Sequence, residues 1–237
     1  DESDGSFLQL TPTVAVVTNI DPEHLDHYRT LERLQEAFLS FANQVPFYGS
    51  VVVSVDDPRL HTLLPDISRP LLTYGSSDKA DYYYRHMEFS GLRTSFDVVG
   101  RGEHLGRFTL SMPGRHNALN CLAAVAVALE FEVPPRVIQE SLNSFGGIQR
   151  RFTVRGERKG VMVVDDYAHH PAEIRATLAG AKAGFQRPVV AVFQPHRYSR
   201  VKLLEQEFHR AFLRADELVV LPVYAAGEDP IEGVDAE

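Results

Sequence analysis

Apolar residues recur along this chain in two rhythms. Thr13 to Ile20 (TVAVVTNI) is a β-branched apolar run ended by Asp21-Pro22, which predicts a buried parallel strand running into a loop. Leu31, Leu34, Ala37, Phe38 and Phe41 fall at helical spacing and predict an amphipathic helix over 31–42. Gly49 to Val55 repeats the strand pattern, closed by Asp56-Asp57-Pro58. A short helix over 59–64 and a short strand over 71–74 follow. From Asp81 to Met112 glycines separate three segments, Tyr82–Phe89, Thr94–Val99 and Arg107–Met112, which predict a small antiparallel meander. His116 to Phe131 is an Ala/Leu-rich helix, and Pro134-Pro135 opens another that runs to about Phe145.

Gly146-Gly147 divides the chain into 1–147 and 148–237. Beyond it the pattern restarts with strands at Val161–Val164, Pro188–Phe193 and Glu217–Leu221. Helices at Pro171–Ala183 and Arg200–Ala215 lie between them. Strands alternating with helices predict βαβ units on a parallel sheet. The expected class is therefore α/β, mainly parallel, with a small antiparallel portion.

Composition narrows the function. The chain has 237 residues, 44% hydrophobic and 24% charged, enough apolar material for a core. No run approaches a membrane span. The net charge is -8 and the basic residues are scattered, so a nucleic-acid footprint is not expected. The single cysteine, Cys121, excludes an internal disulfide and sits in an apolar helical run, as a buried inert thiol would. The opening Asp1-Glu2-Ser3-Asp4 shows no basic or apolar region of a signal peptide, and a cytoplasmic location is expected.

Open parallel sheets bind ligands beyond the carboxyl ends of their strands. After the first strand come Asp21, Glu23, His24, Asp26 and His27, which suit a divalent cation or a phosphate, or simply cap the next helix. After Val161–Val164 come Asp165, Asp166, Tyr167, His169 and His170, just ahead of a helix N-terminus. After Pro188–Phe193 come His196, Arg197 and Arg200, and two arginines three apart can address one anion. Gly114 permits close backbone approach at a helix start, and Asn117 offers both a donor and an acceptor to a base edge or serves as a cap. Arg150-Arg151 reaches a phosphate from a hinge or is linker charge. There is no G-x-x-x-x-G-K-[ST], no G-x-G-x-x-G turn and no G-x-S-x-G.

DESDGSF, TNIDPEHLDHY, PGRHNALN, QRRF, DDYAHHP and FQPHRYSR occur here in one order. Together they resemble the Mur ligase family, over essentially the whole chain. The resemblance implies that 1–147 is a central ATP-binding domain lacking its P-loop and that 148–237 is part of a C-terminal Rossmann-like domain. The P-loop and a UDP-substrate domain are then expected before Asp1, and further strands after Glu237. It also implies an ATP-dependent, Mg²⁺-assisted carboxylate–amine ligase that joins L-alanine to UDP-N-acetylmuramate in peptidoglycan precursor synthesis. On that pattern Glu2 and His24 are the metal pair, and His116 and Asn117 match adenine-binding positions. Arg151 reaches the phosphates and Asp166 faces the ribose. Tyr167, His169, His196, Arg197 and Arg200 surround the muramyl carboxylate and alanine. A tripeptide-recycling ligase of the same family and a non-catalytic binding fragment are the alternatives.

Overall fold

The computed structural model describes residues 2–22 and 25–235. The chain forms two compact units. The first comprises Asp1–Glu88, Ser95–Thr109 and Ala118–Ser144; the second comprises Phe89–Thr94, Leu110–Asn117 and Phe145–Glu237.

Six strands form one sheet in sequence order: β1 (Val14–Val17), β2 (Ser50–Ser54), β3 (Leu71–Gly75), β4 (Tyr82–Ser90), β5 (Arg93–Gly100) and β6 (Glu103–Leu110). β1 to β4 pair in parallel, with Val16 opposite Val52 and Val52 opposite Leu72. Every residue of β2 is buried, as the continuous Val run demands of a central parallel strand. The glycine-separated segments, expected as a small antiparallel meander, are consecutive neighbours that extend this same sheet. Only two residues join β4 to β5 and β5 to β6, too few for a parallel crossover, so these connections are hairpins. β6 begins earlier than the expected Arg107, because Arg101 and Gly102 both take positive φ and close a tight turn.

The helices of this unit start where the sequence supplies caps. α1 spans Leu25–Tyr28 and α2 spans Leu31–Asn43. Thr30 caps α2 by accepting the Arg33 N–H at 3.3 Å. The stripe of α2 buries Leu34 and Ala37 in a core with Phe7, Ile20, Val51 and Val53. α3 (Pro58–Leu63) has Pro58 in its first turn and Asp57 accepting the N–H groups of Arg59 and Leu60, both at 2.9 Å. α4 (Arg115–Glu130) buries Ala118, Cys121, Leu122, Ala123, Val125 and Ala126, and α5 (Pro135–Ser144) follows. Burial pushes the Cys121 thiol up to about 12, so it is inert as expected.

The second unit corrects two expectations. Its remaining elements are β7 (Thr153–Arg158), β8 (Val161–Asp165), α6 (Pro171–Gly184), β9 (Val190–Phe193), α7 (Tyr198–Leu203), α8 (Glu205–Ala211) and β10 (Glu217–Val220). β9 and β10 pair in parallel. β8 does not join them; it pairs antiparallel with β7, a strand the sequence pattern does not reveal. Lys159 and Gly160 both have positive φ and form the two-residue turn between them. The expected helix over 200–215 starts at Tyr198 and breaks at Leu204, whose backbone leaves the helical region while its side chain is buried. Ile174, Leu178, Phe193 and Ala211 form this unit's core with Phe208 and Phe212. Among the described residues no helix is long and apolar enough to cross a membrane.

Candidate functional site

The segment after β8 is rigidly tied. Asp166 accepts the Phe152 N–H and the Ala168 N–H, both at 2.8 Å. The Tyr167 N–H donates to the Arg150 carbonyl at 2.8 Å, and the Arg150 guanidinium lies 4.2 Å from the Tyr167 ring centre. His170 caps α6 and forms a capping box with Glu173, with Pro171 in the first turn. The cap thus fixes the residues in front of it.

Glu173 does more than close the box. Its carboxylate accepts the backbone N–H groups of His169 at 2.9 Å and His170 at 3.2 Å. It pairs with the Arg151 guanidinium at 2.9 Å and lies 3.4 Å from the His169 Nδ1. Burial works to raise its pKa, but the His169 N–H and the Arg151 guanidinium outweigh it and hold the carboxyl below its ordinary value. One carboxylate therefore orients both Arg151 and His169. In the sequence, the only sign of Glu173 is its place three residues after His170, as the acid of a capping box.

The segment after β9 meets the same place. The His169 and His196 rings lie 6.4 Å apart, and Tyr167 packs edge-on against His169 at 5.1 Å. Arg200 Nη1 is 3.4 Å from both the His196 carbonyl oxygen and the His196 Nδ1. Burial, then the charges of Arg200 and Arg197, push the His196 imidazole below its ordinary value and favour its neutral form. Tyr167, His169, His196 and Arg200 thus form one cluster, with Arg151 joined to it through Glu173. Such a set can hold an anionic group and accept or deliver a proton at an imidazole.

His116 and Asn117 belong to this same unit. The Asn117 amide donates to the Pro113 carbonyl at 2.8 Å. The His116 ring packs over Gly114, where an added Cβ would come within 2.7 Å of the imidazole. Burial lowers the His116 pKa, Asp166 opposes this and Arg151 reinforces it. The metal pair is less complete. Glu2 is exposed in the first unit, its carbonyl accepting the Tyr28 hydroxyl at 2.8 Å, and His24 lies outside the described residues. Among the described residues no three His, Cys, Asp or Glu side chains are grouped to hold a metal ion.

These shifts set a pH dependence. The folded state holds His116 below the ordinary imidazole value of 6.5 and Glu173 below the ordinary 4.5, so the unfolded chain binds protons more readily at both. Both contributions are complete above those values and are lost as pH falls through the folded ones. Thermal melts across the imidazole range are expected to show declining Tm on acidification, and His116→Gln to flatten that decline. An equally steep decline in the variant would sink the assignment.

Two family models match the chain: the Mur ligase middle domain over residues 2–128 and the Mur ligase glutamate ligase domain over residues 150–237. A protein of Sorangium cellulosum named UDP-N-acetylmuramate–L-alanine ligase is 58% identical over 240 residues, covering all of this chain and 51% of that protein. A protein of the same name from Anaeromyxobacter dehalogenans strain 2CP-1 is 55% identical, with all of this chain and 52% of that protein covered. The chain spans about half the length of the curated relatives it matches. The crystal structure of UDP-N-acetylmuramate-alanine ligase from Thermotoga maritima superposes with a TM-score of 0.77 at 31% identity, over 94% of this chain and 49% of that one. A murein peptide ligase from Psychrobacter arcticus shares the fold at 24% identity and a TM-score of 0.61, over 90% of this chain and 44% of that one. With the middle-domain model alone covering more than half of its residues, the chain belongs to the Mur ligase family.

Proposed function

We propose that the complete protein is an ATP-dependent ligase joining L-alanine to UDP-N-acetylmuramate, and that this chain supplies the nucleotide- and amino-acid-facing part. The observation that carries the reading is the convergence of His169, His196 and Arg200 in one cluster, with Arg151 tied in through Glu173. Identities of 52 to 58% to eight relatives of that one name support it. The gap between the two family matches supports a boundary at Gly146-Gly147, with 1–147 central and 148–237 C-terminal.

The chemistry must bring two anions together. The muramyl carboxylate attacks the γ-phosphorus and displaces ADP, giving an acyl phosphate. The alanine amine then attacks that carbonyl, and phosphate leaves as the amide forms. Arg151 meets the phosphates, with His116 and Asn117 at the adenine and Asp166 at the ribose. Arg197 holds the alanine carboxylate, and Arg200 holds that carboxylate and the negative charge that develops on the tetrahedral carbon's oxygen. The His196 imidazole, which burial and the neighbouring arginines favour in its neutral form, takes the proton that the amine loses, with His169 beside it. Tyr167 packs against His169 and fixes one side of its ring. The exposed Glu2 carboxylate is the hard oxygen donor that a magnesium ion takes, and His24 is proposed as its second ligand. Magnesium, held there, would supply positive charge against the phosphates.

The test is a ligation assay on the complete gene product with ATP, magnesium and UDP-N-acetylmuramate, comparing L-alanine with a murein tripeptide. Alanine is expected to be the better substrate by at least about tenfold in kcat/KM, a modest transition-state preference. A preference for the tripeptide would assign the protein to the recycling branch instead. The 237 residues alone, which contain no G-x-x-x-x-G-K-[ST] loop, are expected to show no turnover.

A further inference from the structure

Arg197 is a non-glycine residue at φ 70 and ψ 128. An L side chain takes that conformation only where its surroundings impose it. Residues 224–228 supply the constraint. The Arg197 N–H donates to the Tyr224 carbonyl at 2.9 Å, and the Tyr224 N–H donates back to the Pro195 carbonyl at 2.8 Å. The His196 and Tyr224 rings stack, 5.4 Å apart and 26° from parallel.

One turn further on, α7 has no cap of its own, because Arg197 occupies the cap position and no side chain there accepts a helix N–H. Glu228 does so from 29 residues away. Its carboxylate accepts the Ser199 N–H at 2.9 Å and the Ser199 hydroxyl at 2.6 Å. A carboxylate on the first free N–H groups of a helix satisfies donors that are otherwise left open. The Glu228 N–H in turn donates to the Ala225 carbonyl at 3.0 Å, which closes residues 225–228 into a turn. Tyr224 and Glu228 therefore grip the chain on both sides of Arg197.

Backbone φ decides where a side chain leaves the chain. If the grip opens, Arg197 relaxes to negative φ and its guanidinium points elsewhere, while Arg200 stays held by the His196 carbonyl. We propose that Glu228 is a positioning residue: by capping α7 through Ser199 it keeps Arg197 at positive φ, and so sets the spacing of the arginine pair that receives the amino-acid carboxylate. This rests on the role given to Arg197 above.

The test uses the complete gene product and two readouts. Glu228→Ala is expected to raise the KM for L-alanine about tenfold, with kcat and the KM for ATP within about twofold, as loss of aim at one carboxylate predicts. Hydrogen exchange at the Ser199 amide is expected to speed up about tenfold or more in the same variant. Glu228→Gln keeps an acceptor oxygen and should restore most of both. Should Glu228→Ala fail to fold, Glu228→Gln and Ser199→Ala carry the comparison, the latter raising the alanine KM a few-fold. An unchanged alanine KM overturns the proposal whether or not exchange at Ser199 speeds up, since faster exchange alone marks a cap that positions nothing. So does a uniform loss of all kinetic constants together with Tm, which marks general fold support. If the unmodified protein ligates no alanine, the functional reading fails, and the positioning role with it, while exchange at Ser199 still decides the cap.

Discussion

Replacing Arg200 with alanine in the complete protein is expected to lower kcat/KM for alanine ligation by about 30- to 1000-fold, the loss of a charged contact made in a water-poor site. The KM for ATP is expected to stay within about twofold, because Arg200 sits with His196 on the segment after β9, whereas the proposed nucleotide contacts come from His116, Asn117, Arg151 and Asp166. Arg200→Lys separates charge from geometry. A lysine keeps the positive charge but cannot present two parallel N–H groups, so an intermediate loss is expected. Arg200 also donates to the His196 carbonyl, and a variant that lost Tm as steeply as activity would place the residue in the fold rather than in the reaction. Steady-state kinetics with each substrate varied in turn, beside thermal melts, separates these outcomes.

The strand ends were legible because two strong signals coincide there. A β-branched run such as VVVSV has few structures open to it, and polar residues directly after such a run must lie at the sheet's carboxyl edge. His196 and Arg200 are legible in this way, after the parallel strand β9; Tyr167 and His169 follow β8, which pairs antiparallel with β7 and not with the parallel strands, yet the structure gathers all four side chains. β7 was illegible for the opposite reason. Five of its six residues are exposed, so it carries no apolar alternation to detect, and its pairing with β8 depends on the Lys159-Gly160 turn. The break at Leu204 is equally silent, since leucine is a good helix former and no glycine or proline stands near it. Arg197 gives no sign of its positive φ, because sequence signals for that conformation come from glycine and asparagine. Glu228 owes its importance to Ser199, 29 residues away, and no local pattern joins the two.

Glu173 shows how a residue with an ordinary local explanation acquires a second task. Glu173→Ala removes the acceptor of two backbone N–H groups at the start of α6, the partner of Arg151 and the neighbour of the His169 ring. Loss of the cap is expected to cost about 0.5–2 kcal/mol of stability. The effect on ligation is expected to be larger, about 100-fold or more in kcat/KM, because two groups lose their aim together and positioning errors multiply. The distinguishing feature is which constants move. Arg151 is proposed at the phosphates and His169 at the amino-acid end, so the KM for ATP and the constants for alanine should both change, unlike the Arg200→Ala result. Glu173→Gln retains one acceptor oxygen for the backbone and should recover most of the Tm. Without a charge it cannot hold Arg151 as an ion pair, so ligation should remain depressed. Full recovery of ligation in Glu173→Gln would show that the carboxylate's charge contributes nothing, leaving Glu173 as a helix cap alone.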